Sequence, residues 1–336
     1  MKILAIETSC DETSVAVVED GKKVLSNIVS TQIEIHEQYG GVVPEIASRY
    51  HIENILPVFN EALKESGTAI TDIDYLAVTH APGLIGALLV GVSFAKALSY
   101  SYKIPLIPVH HIKGHLYSSF IEHDVELPAI ALIVSGGHTM LVKVDEEHNF
   151  TLVGETLDDA AGEVYDKVAR LLGLGYPGGP KIDELSKDGE NVFKINKPNV
   201  GKYEFSFSGI KTFVSNYINN EKMKNNIINK KNLARTFQDL MVELLCEKSI
   251  NLCKDEKINN LIVAGGVSAN KALRLSINKK AEEENIKVYF PGMEYCTDNA
   301  AMIAVAAYYD IRKNKNREND NHIFLDAAAS KENVFL

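Results

Sequence analysis

The chain has 336 residues, 46% of them apolar and 24% charged, which leaves room for two domains of ordinary size and is normal for a soluble globular protein. Its formal net charge of −10 argues against broad electrostatic adhesion to nucleic acid, although a local basic patch is possible around Lys222, Lys224, Lys230 and Lys231, a stretch that alone reads as a solvated loop. The four cysteines, Cys10, Cys246, Cys253 and Cys296, form no Cys-x-x-Cys pair and are too sparse for a disulfide framework. No apolar run looks long enough to span a membrane and the amino terminus opens on strand-like residues, so the expectation is a cytoplasmic protein with reduced thiols, no zinc finger and no membrane segment.

In chain order, apolar patterning predicts strands at 3–6 and 14–19, joined by the polar turn Glu7-Thr-Ser-Cys-Asp-Glu-Thr13, and a third strand near 24–30. A helical period follows over 45–65, with Pro57 expected to kink it. A strand at 75–79, a small-residue helix at 84–102, a strand at 106–109 and a short helix around His111 complete a βββαβαβα order. The order is then written again, with strands near 129–134, 139–144 and 150–155 and a helix at 158–172. After an insertion at 173–231, rich in Gly, Asn and Lys, come a helix at 233–253, a strand at 261–264, a helix at 270–284, a strand at 287–290 and a last helix at 298–313. The repetition predicts a duplicated α/β architecture with lobes at 1–127 and 128–314, a tail at 315–336, and ligands collecting at strand ends in a crevice between the halves.

Two histidines, His111 and His115, stand about one helical turn apart, which puts both imidazoles on one helix face at metal-ligand spacing. The metallopeptidase helix His-Glu-x-x-His carries its general base directly after the first histidine; here that position is Ile112, so the pair suits a metal with another task. Near the end, Cys296-Thr-Asp-Asn299 opens the last helix, where Asp298 is either a helix-start carboxylate or a third metal ligand reaching the histidine helix of the other half.

The duplication also predicts equivalent turns in the two opening hairpins. In one, Thr8 and Ser9 offer hydroxyls; in the other, Val134-Ser-Gly-Gly-His138, Gly136 and Gly137 let backbone N–H groups approach a phosphate while Ser135 adds a hydroxyl. A third turn, Ala264-Gly-Gly-Val-Ser-Ala-Asn270, follows a strand and leads into a helix, a common way to present donors to an anionic ligand. It lacks both the Gly-x-Gly-x-x-Gly pattern and the Walker lysine, so dinucleotide and P-loop readings fail. The turn Tyr176-Pro-Gly-Gly-Pro180, followed by Asp183, can curve around a sugar or base.

Together, Thr79-His-Ala-Pro-Gly83, Lys96-Ala97, Tyr102-Lys-Ile-Pro105 and His111-Ile-Lys-Gly-His115 resemble the signature of the universal TsaD family of tRNA N6-adenosine threonylcarbamoyltransferases, formerly described as sialoglycoprotein endopeptidases. Glu7-Thr-Ser-Cys-Asp-Glu12, Tyr39-Gly-Gly-Val-Val-Pro-Glu45 and Asp158-Asp-Ala-Ala-Gly162 resemble its bacterial branch, and the likeness runs from Met1 to the last helix. The resemblance implies a duplicated actin-like ATPase-domain fold, of the actin, sugar kinase and Hsp70 superfamily. It implies transfer of a threonylcarbamoyl group from threonylcarbamoyl-AMP to N6 of the adenosine beside the anticodon of tRNAs reading ANN codons. The family's metal ligands fall on His111, His115 and Asp298, for one divalent ion, Fe2+ first and Zn2+ as the alternative. Its adenylate contacts fall on Val134, Ser135, Gly136, Gly137, His138, Asp166, Gly179, Asp183 and Asn270. His111 and His115 are also placed in the catalytic set, with Asp11 and Glu12 for proton handling. The implied partners are tRNA, the smaller paralogous actin-like protein TsaB and the P-loop ATPase TsaE, with the segment 45–102 as the expected docking face. Two other classes remain at this stage: a metallopeptidase with its base elsewhere, and a sugar-kinase-like or non-catalytic ATP-binding module, because a fold does not fix a function.

Overall fold

The computed structural model describes residues 1–313 and Ala327; the expected tail at 315–336 otherwise lies outside the described residues. The chain forms two compact units, one made of Met1–Asp124 with the segment from Pro291 onward, the other of Val125–Phe290.

The first unit opens with strands β1 (Lys2–Glu7), β2 (Glu12–Glu19) and β3 (Lys23–Thr31), a short helix α1 (Ile33–Glu37) and the long helix α2 (Pro44–Ser66). Pro57 lies inside α2, which continues on both sides of it. Strand β4 (Tyr75–Ala81), helix α3 (Ile85–Tyr102), strand β5 (Leu106–His110) and the histidine helix α4 (His111–Ser118) follow. The sheet order is β3-β2-β1-β4-β5, with β1 antiparallel to β2 and parallel to β4, and β4 parallel to β5.

Parallel pairing has a direct consequence for chemistry, because it gathers the carboxyl ends of β1, β4 and β5 at one edge of the sheet. Glu7, Thr79 and His110 stand at or near those ends, and His111 begins the helix that follows. The centre of the sheet is apolar on both faces. Leu4, Ile6, Val15 and Val17 alternate into a cluster with Ile55, Val58 and Phe59 of α2 and Val92 and Ala95 of α3. Helix α3 has the length and apolar content of a membrane span, but Ala87, Leu88, Gly91, Val92 and Ala95 form a buried face, as in a core helix.

In the second unit, strands β6 (Ala129–Val134), β7 (Thr139–Val144) and β8 (Phe150–Glu155) lead to helix α5 (Ala161–Leu172). Helices α6 (Gly178–Ser186), α7 (Ser208–Met223) and α8 (Lys230–Glu256) come next, then strand β9 (Asn260–Ala264), helix α9 (Lys271–Glu283) and strand β10 (Lys287–Tyr289). The sheet order β10-β9-β6-β7-β8, with β6 antiparallel to β7 and parallel to β9, reproduces the first sheet strand for strand. The duplication read from the sequence is therefore present in the topology. The segment 173–231 is less loop-like than its Gly and Asn content suggests. Helix α7 buries Ile210, Val214 and Ile218, a helical period legible in the sequence.

The last helix, α10 (Ala300–Lys313), corrects the expected extent of the second lobe, 128–314. It was expected to close the second lobe, but it belongs to the first unit, where it packs on β1, β2 and α4 and buries Ala300 to Ala307. The physical reason is visible at Gly114 in α4. A β-carbon there would lie 2.6 Å from Ile303 Cδ1 and 3.2 Å from Met302 Cγ, so the missing side chain is what lets α10 approach. Tyr117 stacks on Tyr309 at 4.9 Å between ring centroids, further fixing the two helices. Asp298, two residues before α10, is thereby held in the same unit as the histidines.

Candidate metal centre

His111 is the first residue of α4 and His115 the fifth, so one helical turn brings their rings to 4.6 Å between centroids in an edge-to-face pair. His111 Nε2 lies 3.5 Å and His115 Nε2 3.2 Å from Asp298 Oδ1, and one ligand atom from each of the three residues falls within 4.8 Å of the others. A tetrahedral ion held at about 2.0–2.2 Å from each ligand would space them by about 3.3–3.6 Å, close to the two histidine–aspartate distances.

His115 is fully buried, and neither of its ring nitrogens makes a hydrogen bond: its approach to Asp298 is close in distance but not in hydrogen-bond geometry. A buried polar atom without a partner is unfavourable by about 1–3 kcal/mol, so this ring is better matched to a cation than to its protein surroundings. The start of α10 explains why Asp298 is available. The N–H groups of Ala300, Ala301 and Met302 are accepted by Ser14 Oγ at 2.9 Å, Asn27 Oδ1 at 3.3 Å and Asn299 Oδ1 at 3.0 Å. Three N–H groups of the helix start thus have other acceptors, while Asp298 Oδ1 stands within 3.5 Å of both histidines. The expectation that it reaches across from the other half is corrected too, because all three residues lie in one unit.

The surrounding charge is strongly negative. Burial disfavours the His111 cation, but the carboxylates of Asp298 and Glu7 outweigh that and push it up to about 9. Burial, Asp11 and Asp298 together hold the Glu12 carboxyl well above the usual range. The Cys10 thiol is raised well above its ordinary value by burial and by Asp11 and Asp298. A pocket that holds protons on a histidine and a carboxyl is one that a divalent cation would neutralise.

Sequence reasoning missed Glu7. It ends the apolar strand β1, is fully buried, and its carboxylate accepts from His111 Nδ1 at 3.0 Å. The signal was present: an acidic residue directly after Ile3–Ile6 can be buried only if it is paired. Reading Thr8 and Ser9 as anion donors is also corrected. Thr8 Oγ1 donates to Ala87 O, and Ser9 Oγ lies 3.1 Å from His111 Nδ1, so both hydroxyls serve the scaffold of this site. Ile112 is buried at 1% exposure, and α4 carries no carboxylate where a peptidase of this helix type would need its base.

The residues expected to contact adenylate all lie in the second unit. Val134 ends β6 and pairs with Thr139, so 135–138 is a tight hairpin turn, closed by Ser135 N to His138 O at 2.8 Å and His138 N to Ser135 Oγ at 3.2 Å. Gly136 and Gly137 are exposed at its tip, their N–H groups have no protein acceptor among the described residues, and a β-carbon on either would meet nothing within 4 Å. Gly162 N donates to Ser135 O, and a β-carbon on Gly162 would lie 2.6 Å from that oxygen, so α5 starts hard against the turn.

Asp166 accepts from Gly178 N at 2.6 Å and holds the start of α6, where the position of a Gly179 β-carbon is again open space. Asp183 Oδ1 accepts from Gln238 Nε2 at 3.1 Å. Asn270 caps α9 through Leu273 N, while its Nδ2 donates to Gln238 Oε1 at 3.0 Å. Gln238, also missed in the sequence, ties these two residues together. Gly265 adopts φ +92° in the third glycine turn, where a β-carbon would lie 2.5 Å from Val134 O, which keeps that turn close to the first.

Residues 23–305 match the family described as TsaD, tRNA N6-adenosine threonylcarbamoyltransferase. Curated relatives carry that enzyme name. The Fusobacterium nucleatum protein is 60% identical over 319 residues, which is 95% of this chain and 94% of that one. Those of Staphylococcus saprophyticus and Clostridium perfringens are each 53% identical, over 91% and 93% of this chain and 90% and 93% of their own lengths. Among solved structures, full-length HypF in its phosphate- and nucleotide-bound form aligns with TM-score 0.63 at 15% identity, over 94% of this chain and 47% of HypF. Component A of the Acidaminococcus fermentans (R)-2-hydroxyglutaryl-CoA dehydratase aligns with TM-score 0.55 at 15% identity, over 93% of this chain and 99% of that one. At such identity the likeness bears on the fold alone, which is the duplicated actin-like ATPase fold.

Proposed function

Because this chain belongs to the TsaD family of tRNA N6-adenosine threonylcarbamoyltransferases, we propose that it moves the threonylcarbamoyl group of threonylcarbamoyl-AMP onto N6 of the adenosine beside the anticodon, with a divalent metal held by His111, His115 and Asp298. The observation that carries the metal is the buried, unpartnered His115 ring facing Asp298. Two imidazoles and one carboxylate leave coordination positions open, a donor set that suits non-haem iron(II) first and zinc as the alternative. When bound, such an ion supplies Lewis-acid polarisation and a template for substrate oxygens.

The chain's own residues have the remaining tasks. In the transfer, N6 bonds to the carbamoyl carbon, the bond from that carbon to the phosphate oxygen breaks, AMP leaves with the electron pair, and N6 gives up a proton. The exocyclic amine of adenosine is a weak nucleophile, so positioning and leaving-group stabilisation matter most. The Gly136 and Gly137 N–H groups, with Val134, Ser135 and His138 shaping their turn, are assigned to the adenylate phosphate, where negative charge grows as AMP leaves. Gly179, Asp183 and Asn270 are assigned to the nucleoside portion, and Asp166 to holding Gly179 in place. Asp11 and Glu12 are assigned to the N6 proton. Glu12 is the better suited, since a carboxyl held above the usual range is a stronger base once ionised.

The same reading places the work in the cytoplasm, with tRNA as substrate and TsaB and TsaE as partners. A net charge of −10 offers few phosphate-neutralising contacts for tRNA, so extra surface is expected from other chains. Ile52 and Leu56 on α2, at 65% and 54% exposure, and Ile85 and Leu89 on α3, at 48% and 50%, are exposed apolar pairs, each one helical turn apart, inside the expected docking segment. The experiment is reconstitution at physiological salt with threonylcarbamoyl-AMP and tRNA, followed by mass analysis of tRNA nucleosides. The expected outcome is N6-threonylcarbamoyladenosine with all partners present and little with the chain alone. Strong multiple turnover by the isolated chain, with no gain from partners, would refute the partner requirement.

A further inference from the structure

We propose that Glu7 is a positioning residue that fixes the His111 ring through a proton kept on Nδ1, so that Nε2, the nitrogen facing Asp298, is the one that ligates a metal. The inference rests on the metal reading above and concerns how this chain prepares one of its ligands.

Glu7 is 0% exposed at the end of β1, where its carboxylate accepts from Ser9 N and Thr79 Oγ1, each at 2.5 Å, and from His111 Nδ1 at 3.0 Å. An ionised carboxylate can only accept, so the hydrogen between Glu7 and His111 must belong to the imidazole. When a cation displaces one proton from the imidazolium, Glu7 keeps the other on Nδ1, so the lone pair is released at Nε2, the nitrogen 3.5 Å from Asp298 Oδ1. Ser9 Oγ, 3.1 Å from the same Nδ1, then accepts a share of that hydrogen, so two groups of the β1–β2 hairpin fix the ring from behind. Thr79, from the neighbouring parallel strand β4, fixes Glu7 in turn. A carboxylate behind a ligating histidine raises ligand basicity, and loss of such a partner typically weakens metal binding by about 10–100-fold.

A purely structural role for Glu7, joining the ends of β1 and β4 through Ser9 and Thr79, makes a different forecast, and two variants separate the cases. Glu7→Gln keeps the shape but replaces one acceptor oxygen with an NH2 group. Thr8→Val removes a neighbouring buried hydrogen bond, Thr8 Oγ1 to Ala87 O at 2.9 Å, without touching His111. The probe is Zn2+ alone, titrated against a chromophoric chelator, with melting curves of the metal-free proteins and nitrogen-15 spectra of the histidine rings. Glu7→Gln is expected to weaken Zn2+ binding by about 10–100-fold, whereas Thr8→Val lowers the melting temperature and leaves Zn2+ affinity unchanged. The spectrum of the Zn2+-loaded wild type should show His111 protonated at Nδ1 and ligated through Nε2, a readout that does not require the variant to fold. Unchanged Zn2+ affinity in Glu7→Gln, equal losses in both variants, or His111 ligated through Nδ1 with its proton on Nε2 in the loaded wild type would each overturn the proposal. If the wild type itself takes up no Zn2+, the metal reading fails and this inference falls with it.

Discussion

Asp298→Asn is expected to remove the metal and, with it, at least about 10²–10³-fold of the transfer rate, the scale on which loss of one electrostatic stabiliser lowers turnover. This is the cleaner form of a wider prediction that includes His111→Ala. In His111→Ala the fully buried Glu7 loses its ion-pair partner, and breaking a buried pair from one side costs about 3–5 kcal/mol. Fold and site would then fail together. Asp298→Asn avoids this, because the first N–H groups of α10 are held by Ser14, Asn27 and Asn299. Elemental analysis should find metal in the wild type and almost none in either variant, with the melting temperature of Asp298→Asn close to wild type. Full occupancy in Asp298→Asn would remove that residue from the ligand set.

Gly137→Val should abolish most adenylate binding without unfolding the protein. The tip of the 135–138 turn is exposed, a β-carbon at Gly137 meets nothing within 4 Å, and its φ is not in the left-handed region, so the folded state tolerates a side chain. What it cannot tolerate is a phosphate oxygen approaching the same N–H groups. A loss of at least tenfold, about 1.4 kcal/mol, is expected for AMP binding by calorimetry. Gly162→Val is the contrasting case: its β-carbon would lie 2.6 Å from Ser135 O, so it should lower the melting temperature as well. Normal AMP affinity in Gly137→Val would place the phosphate elsewhere.

The order of elements along the chain, and its repetition in the second half, was legible because the strands here are buried, apolar and separated by clear turns. The histidine pair was legible because helix geometry turns a spacing into a face. Other features depend on contacts remote in sequence. Nothing local marks α10 as a member of the first unit; that follows from Gly114, a residue that matters by lacking a side chain. Glu7 and Gln238 were overlooked for a related reason. Each is a polar residue in an apolar setting whose role is set by partners far along the chain, His111 for Glu7 and Asp183 and Asn270 for Gln238. Thr8 was misread as a ligand donor because a hydroxyl in a turn looks available until Ala87 is seen to accept from it. The helices within 173–231 were obscured by composition, since Gly and Asn suggest a loop while the apolar period of α7 is a subtler signal.

The most direct measurement follows the transferred group itself. Threonylcarbamoyl-AMP labelled in its carbamoyl carbon would be mixed with tRNA, the partner proteins and this chain, under conditions where the chain is limiting, and the products resolved over a single turnover. The account predicts that label appears on N6 of the adenosine beside the anticodon in step with release of an equal amount of AMP, and that Asp298→Asn does neither at a comparable rate. Label that never reaches tRNA, or reaches it equally fast without this chain, would contradict the claim that this protein carries out the transfer.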